Sequence, residues 1–434
     1  MSNTKIAFQD KKIEFLYNFL GEESTSDGGL LLLNQYLKKS DIVNFFSRRI
    51  KDNRHSSYTK FEYSELLKLR LLLISCGYED CNDINHLKND PALKALFKNL
   101  PSQSTLSRFE NSMNIGMVYR LAQSMIDFYV DSIDPNRKEI IIDVDCTDDP
   151  THGNQQGSLF DGYHWQYQYN ELFYLDGQTG QIIFPVLRPG SVHSSKWNHI
   201  FLKIIISKIR KKHPHINIIV RADAGFSSSD FYSCVSELNI EYCIGIASNS
   251  RIKSLFEQEI QLIQKAFVNQ QTKHQHFCGP KLYKAQSWNQ YQWIYAKVES
   301  TGKGLNVRYI VSNQNDLSSS QLYKAFYVLR GETAENRIKE IKNFCFSDRL
   351  SCSRFSANYF RLIISCLAYE LLRSIKQRLN QLSNNPTIKN WNIQSVRLYL
   401  IKIAAQIKIN IRRVYFKFAR GHPYHSILDQ LLQT

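Results

Sequence analysis

The chain has 434 residues, 43% of them hydrophobic. That is enough for a packed core and excludes a disordered tail; at roughly 100–200 residues per domain the length allows two to four structural units. Lys and Arg number 55 against 39 Asp and Glu, a net charge of +16. Such a surplus points to a polyanionic partner, of which nucleic acid is the commonest.

Further classes drop out on pattern. Residues 1–19 contain no uninterrupted apolar stretch and no small-residue cleavage site, so no signal peptide is predicted. The richest apolar runs, residues 204–206 and 362–367, are short and flanked by charge, so no membrane helix is predicted. The nine cysteines stand singly, with no CxxC pair. This argues against a zinc ribbon and a secreted disulfide framework, and places the chain in a reducing cytoplasm.

In chain order, residues 1–138 read as mostly helical, with a net charge of +2. Residues 63–76 form an apolar-rich helix and residues 91–100 another. Ser102 or Ser104 caps a helix running through Leu106 and Phe109. That helix is either an ordinary core helix or one limb of a helix-turn-helix.

Residues 139–247 change character. Residues 139–147 (EIIIDVDCT) are an apolar run ending in carboxylates, and residues 167–175 are aromatic and β-prone. DGQTG (176–180) is a hairpin turn, with a return strand over residues 182–187. A helix over 194–213, a strand over 216–222, a serine-capped helix over 227–239 and a strand over 241–247 follow. The order β-β-β-α-β-α-β predicts a mixed sheet covered by helices. Residues 248–325 read as a β-rich insertion. Residues 326–350 resume a helix, and residues 351–434 read as basic helices, with 13 Lys and Arg against 2 Asp and Glu.

Asp145 lies in or just beyond the first strand, Asp223 ends the fourth, and Glu335 lies on the helix after the insertion. Strand ends of such sheets are where ligand sites form. Three converging carboxylates offer hard oxygen ligands for Mg²⁺. Two such ions can activate a nucleophilic oxygen and stabilise a leaving one in an in-line phosphoryl transfer. Plainer readings exist for each acid. An Asp closing a strand is usually a turn former, and Glu335 with Lys339 is usually a solvated helix pair. Asp143 shares a strand face with Asp145, and Asp148 and Asp149 follow; spacing alone leaves these four open.

IIDVDCTDDPTHG (141–153), VLRPGSVHSS (186–195), RADAGF (221–226) and RGETAENRIKEIK (330–342) resemble the DDE insertion-sequence transposases. GYEDCNDINHLKNDP (77–91), LPSQSTLSRFEN (100–111) and SCSRFSANYFRLIISCLAYELL (351–372) resemble the helical N- and C-terminal parts of one subfamily. The resemblance runs over nearly the whole chain, in order. It implies an RNase-H-like α/β core split by a β-rich insertion, with mostly α-helical terminal regions. It selects Asp145, in its D-x-T context, then Asp223 before Gly-Phe, and Glu335, seven residues before Lys342. Tyr327 and Arg330 match the family's Tyr and Arg, but four residues separate Arg330 from Glu335 where the common form has three.

The resemblance implies cleavage at the ends of a mobile element and joining of a 3′-hydroxyl to target DNA. The implied cofactor is Mg²⁺, with Mn²⁺ as a substitute, held by Asp145, Asp223 and Glu335. The implied partner is double-stranded DNA, as element ends and target, with a homodimer in the DNA complex and no membrane. The implied place is the nucleoid of a bacterial cytoplasm. Lys342 is expected to hold a DNA phosphate, and Arg330, Lys339, Arg412 and Arg413 to contact DNA. Sequence-specific recognition is expected in residues 1–130. Trp288 and Trp293, in the insertion, are either core residues or platforms for a flipped base. A nuclease that cuts without joining and a non-catalytic DNA-binding protein are the competing readings.

Overall fold

The computed structural model of the protein describes residues 5–10, 13–17, 23–270, 272–314 and 316–433. The expectation that residues 1–19 hold no signal peptide falls partly outside these. The described residues form two compact units. One comprises those of Met1–Ser112, Phe344–Phe346 and Leu367–Thr434; the other comprises those of Met113–Asn343 and Ser347–Cys366. This grouping cuts across the five segments read from the sequence (1–138, 139–247, 248–325, 326–350 and 351–434).

In the first unit, strands Lys5–Asp10 (β1) and Ile13–Tyr17 (β2) pair antiparallel, and Ser24–Thr25 (β3) follows. Helix Tyr63–Cys76 has the expected bounds. Its apolar residues are buried almost all round, and Gly77, at φ +95°, supplies the left-handed residue that ends it. Ser102, rather than Ser104, caps helix Gln103–Asn111 by accepting from the Thr105 N–H. Leu106 and Phe109 on that helix are buried, as in an ordinary core helix.

The second unit is mixed α/β. It begins with helix Ile115–Ser132, which the sequence reading placed with the N-terminal region. The helix belongs here because it buries Met117, Leu121, Met125 and Ile126, and Tyr129 donates to Asp176 at 2.9 Å. Strands Glu139–Pro150 (β4), Leu159–Asp161 (β5), Gln166–Asp176 (β6) and Ile182–Pro189 (β7) come next. The turn at residues 176–180 forms as expected, with Asp176 accepting from the N–H groups of Gln178 and Thr179. Then come helix Asn198–Lys212, strand Asn217–Ala222 (β8), helix Ser229–Glu237 and strand Glu241–Ile246 (β9).

The inserted residues start with two helices, Ser250–Leu255 and Glu257–Gln270. Strands His274–Tyr283 (β10), Gln292–Thr301 (β11) and Gly304–Ser312 (β12) follow, and β12 pairs with β9. The insertion therefore extends the central sheet. That sheet has nine strands in the order β10-β11-β12-β9-β8-β4-β6, with β5 and β7 on the far edge of β6. β4, β8 and β9 run parallel; the other pairings are antiparallel.

β4 shows why the sheet folds with a polar side. Ile140, Ile142 and Val144 are fully buried on one face, worth roughly 1.5–3 kcal/mol each. By the two-residue alternation, Asp143, Asp145, Thr147 and Asp149 occupy the other.

The division between the units falls inside helix Phe355–Leu382. The remainder of the C-terminal segment corrects the expectation of basic helices throughout. Ala405–Ile409 (β13) and Val414–Phe418 (β14) form an antiparallel hairpin, and β13 pairs with β3. The alternation Ile407, Ile409, Ile411 is the strand signal; the helical reading passed over it. No helix among the described residues is long and apolar enough to cross a membrane.

Candidate active site

Asp145 and Asp223 are brought level by the parallel pairing of β4 and β8. The last pair in register is Val144 opposite Ala222. Asp145 and Asp223 each follow directly, where the two strands part: β8 ends at Ala222, while β4 runs on beside β6 to Pro150. Asp223 ends β8 with its Oδ1 accepting from the Gly225 N–H at 2.8 Å.

One step back on the same face, Asp143 lies opposite Arg221. Arg221 grips it with two charge-assisted hydrogen bonds, Nε to Oδ1 at 2.6 Å and Nη2 to Oδ2 at 2.8 Å. The Thr333 hydroxyl donates to Oδ2 at 2.6 Å. Asp143 is wholly buried. The geometry thus separates two aspartates that spacing could not: Asp143 is sealed into an ion pair with Arg221, and Asp145 stands where β8 leaves β4, facing Arg330.

Helix residues 319–345 cover this face. Arg330 Nη1 donates to Asp145 Oδ2 at 2.9 Å, and Nη2 donates to Glu335 Oε1 at 3.3 Å. One guanidinium therefore joins the first strand acid to the helix acid. The helix is π-helical over Leu322–Tyr327 and again over Gly331–Glu335. In an α-helix, residues five apart point about 140° apart. In a π-turn, whose hydrogen bonds span five residues, they lie on one side. The extra residue between Arg330 and Glu335 is stored in that turn, and the pair stays together.

Burial pushes the Asp145 carboxyl up to about 6; Arg330 opposes the shift, while Asp223 and Glu335 add to it. The Arg330 guanidinium feels all three carboxylates. Burial also raises the Tyr327 phenol, to about 12. Arg330, Glu335, Tyr327 and Ala224 line a cleft of about 380 Å³, which Asp145 itself does not line. Gly245, on β9, also lines it. A Cβ there would come within 2.6 Å of the Tyr327 hydroxyl and 2.8 Å of the Ala224 nitrogen, so only glycine fits.

The donor set is all carboxylate oxygen, which suits Mg²⁺ or Mn²⁺. Among the described residues, no three His, Cys, Asp or Glu side chains are grouped closely enough to hold one ion. Arg330 is the cation that stands among the acids.

The remaining expected residues are placed as follows. Lys342 Nζ donates to the Asp148 carbonyl at 2.7 Å and to Thr147 Oγ1 at 3.2 Å, so it is held against β4. Lys339 is exposed, and the ion pair of Glu335 is with Arg330 instead. Arg412 and Arg413 are exposed at the tip of the β13–β14 hairpin, in the first unit. Trp288 is buried against Tyr232 and Tyr283, so it is core; Trp293 is partly exposed.

Sequence reasoning missed a second group of acids. Asp149 and Glu171 are buried on the same sheet face, on neighbouring strands. Ser347 donates to Glu171 Oε2 at 3.2 Å, while Asp149 Oδ2 and Glu171 Oε1 have no hydrogen-bond partner. Burial pushes both carboxyls far above the ordinary carboxylate range; Lys342 opposes this at both. Only the register, which puts Glu171 opposite Thr147, reveals the grouping.

Among solved structures, the chain is similar to the piggyBac transposase in a cryo-EM structure of its synaptic complex with hairpin DNA. The identity is 13%, over 88% of this chain and 82% of that one, with a TM-score of 0.44. No curated protein matches the chain. A family model described as transposase DDE domain, group 1, matches residues 7–434. That match spans nearly the whole sequence, and the chain belongs to the transposase DDE domain group 1 family.

Proposed function

We propose that the protein is a DNA transposase that cleaves at the ends of its own insertion sequence and joins the freed 3′-hydroxyl to target DNA. The observation that carries this reading is the level pair Asp145 and Asp223 at the parting of β4 and β8, with Glu335 drawn to Asp145 through Arg330. The strand order β7-β6-β4-β8-β9, antiparallel and then parallel, supports an RNase-H-like core.

Asp145, Asp223 and Glu335 are the catalytic carboxylates and would hold two Mg²⁺ ions, or Mn²⁺ in their place, once Arg330 gave up its position between Asp145 and Glu335. Bound there, the ions would supply a more nucleophilic oxygen and stabilisation of the leaving one. In cleavage a water oxygen bonds to phosphorus, the bond to the 3′-oxygen breaks, and that oxygen takes up a proton. In joining the freed 3′-oxygen attacks a target phosphodiester, so one phosphodiester replaces another and no external energy source is needed. The chain's own part is to hold the acids in register. The Asp143–Arg221 pair and Thr333 fix β4, β8 and the covering helix together beneath them. Without metal, Arg330 keeps Asp145 and Glu335 from repelling one another, and with Lys342 and Lys339 it provides cations for DNA phosphates; Arg412 and Arg413 are further contacts to DNA. Synapsis of two ends calls for a homodimer on DNA, in the nucleoid of a bacterial cell.

The test is an assay on labelled duplex copied from the element end, with a target plasmid, in Mg²⁺ or EDTA. Metal-dependent cutting and joining supports the proposal. Cutting without joining favours a nuclease on the same core. Binding with no metal-dependent chemistry favours a non-catalytic DNA-binding protein.

A further inference from the structure

The hairpin of β13 and β14 has a base and a tip of different chemistry. At the base, Ala405 and Ile407 are buried, Ile407 at 7% exposure. The same apolar face then outruns the core. Ile409 is 52% exposed, Val414 opposite it is 42% exposed, and Ile411 at the turn is fully exposed. From Ile407 to Ile409 the strand rise carries the chain out by roughly 7 Å before the turn begins. The Asn410 N–H donates to the Arg413 carbonyl at 2.8 Å and closes the turn. Arg412 and Arg413 stand in that turn, and Lys408 and Lys417 lie on the opposite face to the isoleucines, paired with Tyr415 and Gln406.

The hairpin's own segment of chain does not neutralise this charge. No Asp or Glu occurs between Glu370 and Asp429. Among the described residues, none of Lys408, Arg412, Arg413 and Lys417 makes an ion pair. A projecting apolar face rimmed by arginines has the pattern of an interaction surface. A protein partner would have to be strongly acidic and apolar at once. Duplex DNA offers both features: phosphates along the walls, and in the major groove guanine acceptors and thymine methyls on the floor. That groove, about 12 Å wide, admits a two-stranded ribbon.

We propose that the β13–β14 hairpin is a groove-reading ribbon: it enters the DNA major groove, where Arg412 and Arg413 engage guanine edges and Ile411 packs on a thymine methyl. Lys408 and Lys417 flank the ribbon and meet phosphates. This rests on the DNA reading above and deepens it. It places sequence recognition in the C-terminal hairpin, in addition to the helices of residues 1–130.

The experiment is fluorescence anisotropy with the full chain and three duplexes of one sequence, copied from the element end. They are ordinary DNA, DNA with 7-deazaguanine for guanine, and RNA, whose deep, narrow major groove a ribbon cannot read. Arg412→Ala and Arg413→Ala should each weaken the ordinary duplex on the order of 10- to 100-fold. The 7-deazaguanine duplex should bind the wild type more weakly, and the two variants should lose little more on it. Ile411→Ser should weaken the ordinary duplex without changing the salt slope. Ile411, Arg412 and Arg413 are exposed, so all three variants should unfold at the wild-type temperature. Variants that bind ordinary DNA like the wild type overturn the proposal. Variants that lose equally on all three duplexes also overturn it, since the arginines then touch only phosphates. A wild type that binds no duplex overturns the DNA reading itself.

Discussion

Arg330 and Glu335 are hydrogen-bonded at 3.3 Å although five positions separate them in the chain, because a π-turn over Gly331–Glu335 lies between. The turn stores one extra residue without rotating the flanking helical segments, which still bury Leu322 and Tyr323 on one side and Ile338 and Ile341 on the other. Deleting Glu332 should convert it to an α-turn, leave Arg330 and Glu335 four apart, and keep them on one face. The deletion variant should fold and keep cleavage within about tenfold of wild type. An alanine inserted after Asn336 should instead rotate Ile338 and Ile341 by about 100° and abolish both fold and activity. Circular dichroism with a cleavage assay checks the two together.

Asp143 and Asp145 make opposite predictions for stability and activity. Asp143→Asn leaves Arg221 buried with a broken ion pair and should cost about 3–5 kcal/mol in denaturant unfolding. Asp145→Asn should cost less, about 1–3 kcal/mol, because Arg330 keeps its pair with Glu335. It should abolish cleavage. Equal destabilisation by the two substitutions would contradict the assignment of a structural and a catalytic aspartate.

Much of this was legible in the residues. The run of isoleucines ending in carboxylates, the turn at Asp176 and the strand before Asp223 each carried a local signal, since alternation, turn chemistry and apolar run length are short-range. What was not legible depends on register. Nothing local says that Arg221 lies opposite Asp143, or that Glu171 lies opposite Thr147. The π-turn was visible only as one residue too many between Arg330 and Glu335. The β13–β14 hairpin did carry a signal, the alternating isoleucines, but it was masked by basic residues that suit helices equally well.

The buried acids behind the site should make stability depend on pH. Asp149 and Glu171 have folded-state values raised above those of the unfolded chain. A raised acid binds more protons when folded, so its contribution is fully present below the unfolded value and is lost as pH rises through the folded one. The unfolding midpoint should therefore fall from neutral into mildly alkaline solution. Glu171→Gln should flatten that fall, which thermal unfolding at a series of pH values checks.

Gly245 has no room for a methyl group. Gly245→Ala should displace Tyr327 and the Ala224 backbone that follows Asp223, at a cost of about 1–3 kcal/mol. Cleavage should drop with DNA binding retained, measured by anisotropy beside the cleavage assay.

The central claim is that Asp145, Asp223 and Glu335 together perform the chemistry. Its most direct test is single-turnover cleavage of element-end DNA in Mg²⁺ by Asp145→Asn, Asp223→Asn and Glu335→Gln, with binding measured in parallel. The account predicts that each variant still binds DNA and that none cleaves it. Wild-type cleavage by any of the three would contradict it.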